Sequence, residues 1–374
     1  MQINLVAFNV PYPPDYGGII DIYYRITALK AQGVGVILHC FTYEAGRAEF
    51  PAGICSEVYY YRRRTGLLSH LGLLPYNVAS RRSGELVRNL AANRWPVLFE
   101  SLHSCHCIND RRLGGRLMIC RAGNVEHDYY LHLAKACRNW AARAFHLLES
   151  RRLRRFEEAL GRAGILLAVS QRDADYFRGR FPGKRVVFMP VFHLREEVAS
   201  QTGLSDFILY HAKLSVHENE KAAMFLISKV FPALGCTCVI AGMNPSARLL
   251  RAAAACPNIR VEANPPAGRM AALTAGAQVH LLPTFQPTGL KLKLLNSLFE
   301  GRHVVVNAMM LEGSGLNALC HIADSAPDMI AACRRLLATP FGEDEVSRRR
   351  AVLIPFYTSS YQAARLKELV EGAG

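Results

Sequence analysis

The sequence predicts an α/β protein of two Rossmann-like, doubly wound domains that face each other across a cleft. Short, unbroken Val/Ile/Leu runs alternate with longer helical stretches, the pattern of parallel strands covered by helices on both faces. The series occurs twice, once on each side of VFHLREEVASQTGLSD at 191–206, which has no strong period. The 374 residues also suit two domains at roughly 150 residues each. The expected division is 1–195 and 196–355, with a last helix at about 356–372 that packs back on the first domain.

In chain order, INLVAF (3–8) reads as a buried strand, followed by the loop NVPYPPDYGG and a helix through IYYRITALKAQG. VGVILHCF (34–41), EVYYYR (57–62), PVLFES (96–101) and RLMICR (116–121) read as further strands. One long helix is expected from about Asp128 to Leu160, then strands at ILLAVS (165–170) and RVVFMP (185–190). The second half repeats the scheme with DFILYHA, CTCVIAGM, NIRVEA, AQVHLLP and HVVVNA as strands between helices. In open sheets of this kind ligands bind at the carboxyl ends of strands, so the loops that follow strands are where chemistry is expected.

Composition excludes several classes. With 51% hydrophobic and 20% charged residues, disorder and low-complexity architectures are excluded. No run of about 18 uncharged apolar residues is present, and the N-terminus lacks the basic flank of a secretion signal. A cytoplasmic protein is expected, either soluble or peripheral at the inner face of the plasma membrane. The net charge of +15 is uneven: residues 1–190 hold 27 Lys and Arg against 15 Asp and Glu, residues 191–374 hold 18 against 15. Such a field suits an anionic membrane surface or a phosphorylated substrate. Nucleic acid is not expected, because the arginine runs lack interleaved aromatics and no reading motif is present. The 11 cysteines are scattered without a CxxC pair, so they read as buried thiols. His103, Cys105, His106 and Cys107 lack the second ligand pair of a zinc site, so no metal is expected.

Several segments could carry chemistry. Gly17 and Gly18 let backbone N–H groups approach an anion at a helix N-terminus, or they make a simple tight turn. Asn124, Glu126, His127 and Asp128 crowd where a strand ends; Glu126 and His127 are candidates for proton work, with capping by Asn124 and Asp128 as the alternative. Asp173-Ala-Asp175 has a metal-binding look, but Ser170 with Asp173 fits an N-cap. His211 and Lys213 end a strand ahead of Asn219, where a Lys meets diphosphate charge or a loop is simply solvated. Thr288, Gly289, Lys291 and Lys293 open a helix after the strand ending at Pro283 and form an anion site; Asn296 and Glu300 lie one and two turns on. Leucines 67, 68, 71, 73 and 74, flanked by arginines, form either a membrane-dipping segment or a core helix. RRLRR at 151–155 reads as the polar face of a helix.

The segment PTFQPTGLKLKLLNSLFEGRHVVVN at 283–307 resembles the donor-site signature of bacterial GT-B glycosyltransferases of the group-1 type. PYPPDYGG, RAGNVEHDYY, AVSQRDADYF and YHAKLSVHENEKAA are also similar to that family, in the family's order and over nearly the whole chain. The resemblance implies a hexosyltransferase of cell-surface polysaccharide synthesis, retaining and metal-independent, with no cofactor beyond a nucleoside-diphosphate sugar as co-substrate. It implies a first domain for a glycan or lipid-linked acceptor and a second for the donor. It places Thr288, Gly289, Lys291 and Lys293 around the donor diphosphate. His211, Lys213 and Asn219 line the same site, and Gly17 and Gly18 face it. The family often carries two glutamates eight positions apart; here those positions are Thr288 and Asn296. Two alternatives stand beside this reading: a nucleotide-sugar epimerase on the same fold, and a non-catalytic binding protein, which that departure favours.

Overall fold

The computed structural model describes residues 1–42, 47–66, 69–70, 72–137, 139–286 and 292–373. The chain forms two compact units: Met1–Leu194 together with Ser359–Gly374, and Arg195–Thr358.

Unit 1 contains β1 (Gln2–Ala7), α1 (Gly17–Ala31), β2 (Gly35–Thr42), β3 (Glu57–Arg62), α2 (Tyr76–Ala79), α3 (Gly84–Ala91), β4 (Val97–Glu100), β5 (Met118–Ala122), α4 (Glu126–Ala136), α5 (Trp140–Phe156), β6 (Ile165–Ala168), α6 (Gln171–Arg180) and β7 (Arg185–Phe188). The sheet order is β3-β2-β1-β4-β5-β6-β7, and every pair is parallel. Successive strand residues point to opposite faces. Ile3, Leu5 and Ala7 therefore pack with Ile22, Ile26 and Leu29 of α1. Val6 faces the other way, into a cluster with Leu86, Leu90 and Phe177. The C-terminal residues Ala363, Leu366, Leu369 and Val370 join the first of these faces.

Unit 2 contains β8 (Phe207–Lys213), α7 (His217–Lys229), β9 (Thr237–Met243), α8 (Ala247–Ala254), β10 (Ile259–Ala263), α9 (Ala267–Gly276), β11 (Val279–Leu281), α10 (Leu292–Glu300), β12 (His303–Val306), α11 (Ala308–Leu311), β13 (His321–Ile322), α12 (Ala326–Leu337) and α13 (Glu343–Tyr357). The helix α14 (Ser359–Glu371) returns to unit 1. The order β10-β9-β8-β11-β12-β13 repeats the plan of unit 1, again wholly parallel. Both units are Rossmann-like. In each, the strand order reverses beside the first strand, which places the crevice for a ligand at the carboxyl ends of β1/β4 and of β8/β11.

Two expectations are corrected. The single helix at 128–160 is two helices: the chain is extended at Cys137, and the Asn139 side chain accepts from the N–H groups of Ala141 and Ala142 to start α5. In the stretch 62–82, Leu67, Leu68 and Leu71 lie outside the described residues, and the described part is not a core helix. Among the described residues only Tyr76–Ala79 is α-helical there, and Leu73 is 85% exposed. In α5, by contrast, Leu153 is buried while Arg151, Arg154 and Arg155 are exposed, so RRLRR is a polar face. All eleven cysteines are free. Among the described residues no helix is long and apolar enough to cross a membrane.

Candidate active site

In unit 1 the chemistry gathers where β4 and β5 end. Ser101 follows β4 with φ +64° and ψ 155°, a backbone region that costs a residue with a side chain of order 1–3 kcal/mol. That conformation aims its hydroxyl across the strand ends, where it donates to Glu126 Oε1 at 3.0 Å. Glu126 starts α4 after β5. The N-cap position is Val125, with no side-chain cap, so capping by Asn124 and Asp128 does not occur. Burial, together with Asp173 and Glu157, pushes the Glu126 carboxyl up to about 7, against the Ser101 hydrogen bond and Arg81. His103 lies with Nε2 at 3.5 Å from Glu126 Oε2. Burial and the charges of Arg81 and Arg63 hold that imidazole down to about 3, so it is neutral, and its buried Nε2 has no hydrogen-bond partner among the described residues. A carboxyl that titrates near neutrality beside an unsatisfied imidazole nitrogen is equipped to exchange a proton.

The Glu126 shift has a stability consequence. A carboxyl raised in the folded state costs nothing below its unfolded value, and the cost grows as pH rises through the folded value. Glu126→Gln should therefore gain stability relative to the wild type by roughly 2.5 kcal/mol between pH 5 and pH 8. Urea unfolding of both proteins at the two pH values measures this, and a pH-independent difference contradicts it.

His127, adjacent in sequence, points elsewhere. Its Nδ1 is 3.2 Å from Glu157 Oε2 and its Nε2 3.5 Å from Asp128 Oδ1, while Tyr176 donates to Glu157 at 2.6 Å. The fold does not bring Glu126 and His127 to one point. Asp173 and Asp175 also part: the Asp173 N–H is capped by Ser170 Oγ, and Asp175 pairs with Arg178 at 2.6 Å. Gly17 and Gly18 are the exposed first residues of α1, where the Tyr16 side chain provides no cap. A Cβ on Gly18 would come within 3.0 Å of the Phe8 ring, so packing also favours glycine there. Beneath them a buried charge cluster went unrecognised in the sequence. Arg25 pairs with Asp21 and Glu100, while Arg121 pairs with Asp21 at 3.0 Å and donates to the carbonyls of Met189 and Pro190.

In unit 2 the ends of β8 and β11 and the N-terminal turn of α7 converge. Asn219 is the hub. Its Nδ2 donates to the Lys213 carbonyl at 3.0 Å, its Oδ1 accepts from Lys293 Nζ at 3.2 Å, and its own carbonyl accepts from Tyr210 Oη at 2.9 Å. Lys293 Nζ also lies 5.2 Å from the centre of the Tyr210 ring. Nearby, Asn307 brackets Thr284 through both its N–H and its carbonyl, and the Thr284 hydroxyl donates to Glu218.

His211 belongs to a proton-ordered chain. His280 Nε2 lies 2.9 Å from the Thr274 carbonyl, which only accepts, so that nitrogen carries the hydrogen. Burial holds His280 far below its ordinary value, so the ring is neutral and Nδ1 accepts from Ser297 Oγ at 3.0 Å. Ser297 Oγ must then accept from His211 Nε2 at 2.9 Å. His211, held down to about 3 by burial and by Lys293, is left with Nδ1 as a bare acceptor. Gly301 is the only residue type that fits against the His280 ring, since a Cβ there would collide with it.

The structure thus brings together His211, Lys213, Asn219 and Lys293. Asn296 is half-buried on α10 without a hydrogen-bond partner among the described residues. Thr288, Gly289 and Lys291 lie outside the described residues. Sequence reasoning missed Ser101, Arg81, Ser297 and His280, and weighed His103 only as a metal ligand. Among the described residues no group of three or more His, Cys, Asp or Glu could hold a metal ion.

No protein-family model matches the chain. A Klebsiella pneumoniae protein described as "Uncharacterized 44.6 kDa protein in cps region" is 23% identical over 343 residues, 84% of this chain and 85% of that protein. Among solved structures, a sucrose-phosphate synthase from Thermosynechococcus elongatus superposes with a TM-score of 0.72 at 14% identity, covering 100% of this chain and 99% of that one. An E. coli structure titled "Trehalose-6-phosphate from E. coli bound with UDP-2-fluoro glucose" superposes with a TM-score of 0.65 at 12% identity, covering 99% and 100%. These neighbours are GT-B glycosyltransferases, and the likeness shows that this chain has their fold of two Rossmann-like domains.

Proposed function

We propose that this protein is a glycosyltransferase that moves a hexose from a nucleoside-diphosphate sugar to a glycan or lipid-linked acceptor, in cell-surface polysaccharide synthesis, with retention and without a metal or other cofactor. The observation that carries this reading is the convergence of His211, Lys213, Asn219 and Lys293 at the strand ends of unit 2. These residues span 82 positions of sequence, and the fold gathers an ammonium, an amide and a bare imidazole acceptor. That set suits a diphosphate with its attached sugar or ribose. The fold likeness to a chain bound with UDP-2-fluoro glucose and the relative from a cps region support the same assignment.

On this reading Lys293, with Lys291 beside it in sequence, stabilises the charge that develops on the leaving diphosphate. Gly17 and Gly18 leave the N-terminus of α1 open to an anionic group of a substrate. Asn296 meets the ribose as a neutral amide. Glu126, half-ionised near neutrality, orients the acceptor hydroxyl and takes up its proton. The basic surface of unit 1 keeps the enzyme at an anionic membrane face.

A thermal-shift screen against nucleoside diphosphates and their sugars, without added metal, tests the proposal. One donor should raise the melting temperature by several degrees at about 100 times its Kd, a stabilisation of about 2.7 kcal/mol. Conversion of that donor to an isomer without acceptor would make the protein an epimerase. No shift with any nucleotide would favour the non-catalytic reading, which Asn296 in place of a carboxylate supports.

A further inference from the structure

A cavity of about 830 Å³ opens in unit 1 at the carboxyl ends of β2 and β3. Thr42 and Arg62 end those strands; Arg63, Arg64 and Arg82 complete its basic wall, and Glu85 is the one acid in it. Arg63 is committed to the protein: it donates to Ser80 Oγ at 2.9 Å and Asn77 Oδ1 at 2.7 Å and lies over the Tyr76 ring. The other three guanidiniums make no ion pair or side-chain hydrogen bond among the described residues. Three like charges held around one concavity repel one another, and among the described residues of its lining Glu85 is the one acid that offsets them. Such an arrangement focuses a positive field into the cavity and favours an anion with several oxygens, which arginine binds bidentately.

We infer that this cavity binds the phosphate or diphosphate group of the acceptor, so that the substrate accepting the sugar is itself a phosphorylated molecule. The inference rests on the transferase reading above and names the chemical class of its acceptor. Position supports it as well as charge. The cavity opens on the same edge of the sheet as Ser101 and Glu126, because all seven strands are parallel. The arginines connect the two places electrostatically. Arg82 and Arg64 act on His106, and Arg81 and Arg63 act on His103, whose Nε2 is 3.5 Å from the Glu126 carboxylate. A phosphate anchored by Arg62, Arg64 and Arg82 leaves the rest of an acceptor free to extend along the strand ends toward Glu126. Neutral glycans would gain nothing from this wall.

The same chemistry reaches the protein from two sources, a soluble sugar phosphate or a lipid diphosphate, and one titration separates them. Full-length protein saturated with UDP, so that the proposed donor site is filled, is titrated calorimetrically with inorganic pyrophosphate and with farnesyl diphosphate at low salt. The same titrations are run on the triple variant R62Q/R64Q/R82Q. These side chains are exposed, and an unchanged melting temperature verifies that the variant is folded. The expected result is a loss of about 30-fold in pyrophosphate affinity in the variant, a factor of about three for each exposed charge contact, with UDP affinity unchanged. Farnesyl diphosphate binding tenfold tighter than pyrophosphate assigns the lipid-linked source; equal affinities assign the soluble one. Wild type and variant binding pyrophosphate alike, or a wild type that does not bind it, overturns the inference. Failure of UDP to bind the wild type strikes the donor assignment instead, and the arginine comparison run without UDP still decides the cavity.

Discussion

Replacing Lys291 and Lys293 together by alanine is expected to lower turnover by about a thousandfold or more while unit 2 stays folded. Removing one preorganised group that stabilises developing charge in a water-poor site costs about 10²–10³ in rate, and on the proposed reading two are removed. The structural cost is small by comparison. Lys293 is half-buried on α10, where it meets the Asn219 amide oxygen and the face of the Tyr210 ring. Asn219 keeps its bond to the Lys213 carbonyl when Lys293 is gone, so the strand end stays joined to α7. The melting temperature of the variant should therefore lie close to that of the wild type. Initial rates with the donor found by the thermal screen measure the effect. Turnover within tenfold of the wild type would sink the assignment of these lysines to the leaving group. Lys293→Arg refines the result. It keeps the charge but replaces a compact ammonium by a broad planar fork, so partial activity indicates that charge dominates and full loss indicates that shape does.

The two sheets were legible in the sequence because strands buried on both faces are nearly continuous apolar runs, with buried polar residues such as Asn4 and His39 paired to each other. INLVA, VILHCF and ILLA could not sit at a surface, and all three became interior strands with a neighbour on each side. The strand-end loops were legible for the same reason, since polar residues directly after such runs have few places to go. The break at Cys137 was not, because apolar residues continue through WAARAFHLL and hide the capping role of Asn139. Ser101 was invisible: a serine with positive φ leaves no trace in residue order, and its partner Glu126 lies 25 positions away. Ser297 and His280 were passed over because each looks like an ordinary polar residue in an apolar run. Only the geometry shows that together they fix the tautomer of His211. In the candidate site, then, residue types that announce charge were found, and the residues that orient them were not.

The Asp21–Arg25–Glu100–Arg121 cluster shows the same limit and yields the largest stability prediction. Asp21 and Arg25 stand four apart on α1, a spacing common to surface ion pairs, yet Arg25 is wholly buried. It bridges Asp21 to Glu100 at the end of β4, and Arg121 at the end of β5 holds Asp21 from the other side. Asp21 also accepts from the Phe192 N–H at 2.6 Å, and the Phe192 ring lies against both guanidiniums. The cluster thus ties α1, two central strands and the chain after β7 at one point. Arg25→Met is expected to destabilise unit 1 by about 3–5 kcal/mol, because it leaves a buried carboxylate without its partner. Burial already pushes the Glu100 carboxyl up despite Arg25, and removing that cation pushes it further. A carboxyl raised in the folded state loses stability as pH climbs above its unfolded value, so the deficit should be smaller at pH 5 than at pH 8. The double variant R25M/E100Q removes the stranded charge and should recover a large part of the loss, mostly at pH 8. Urea unfolding of both variants at both pH values decides the point. If Arg25→Met costs under about 1 kcal/mol with no dependence on pH, the pair behaves like an exposed salt bridge, and its role in tying α1 to the strand ends is refuted.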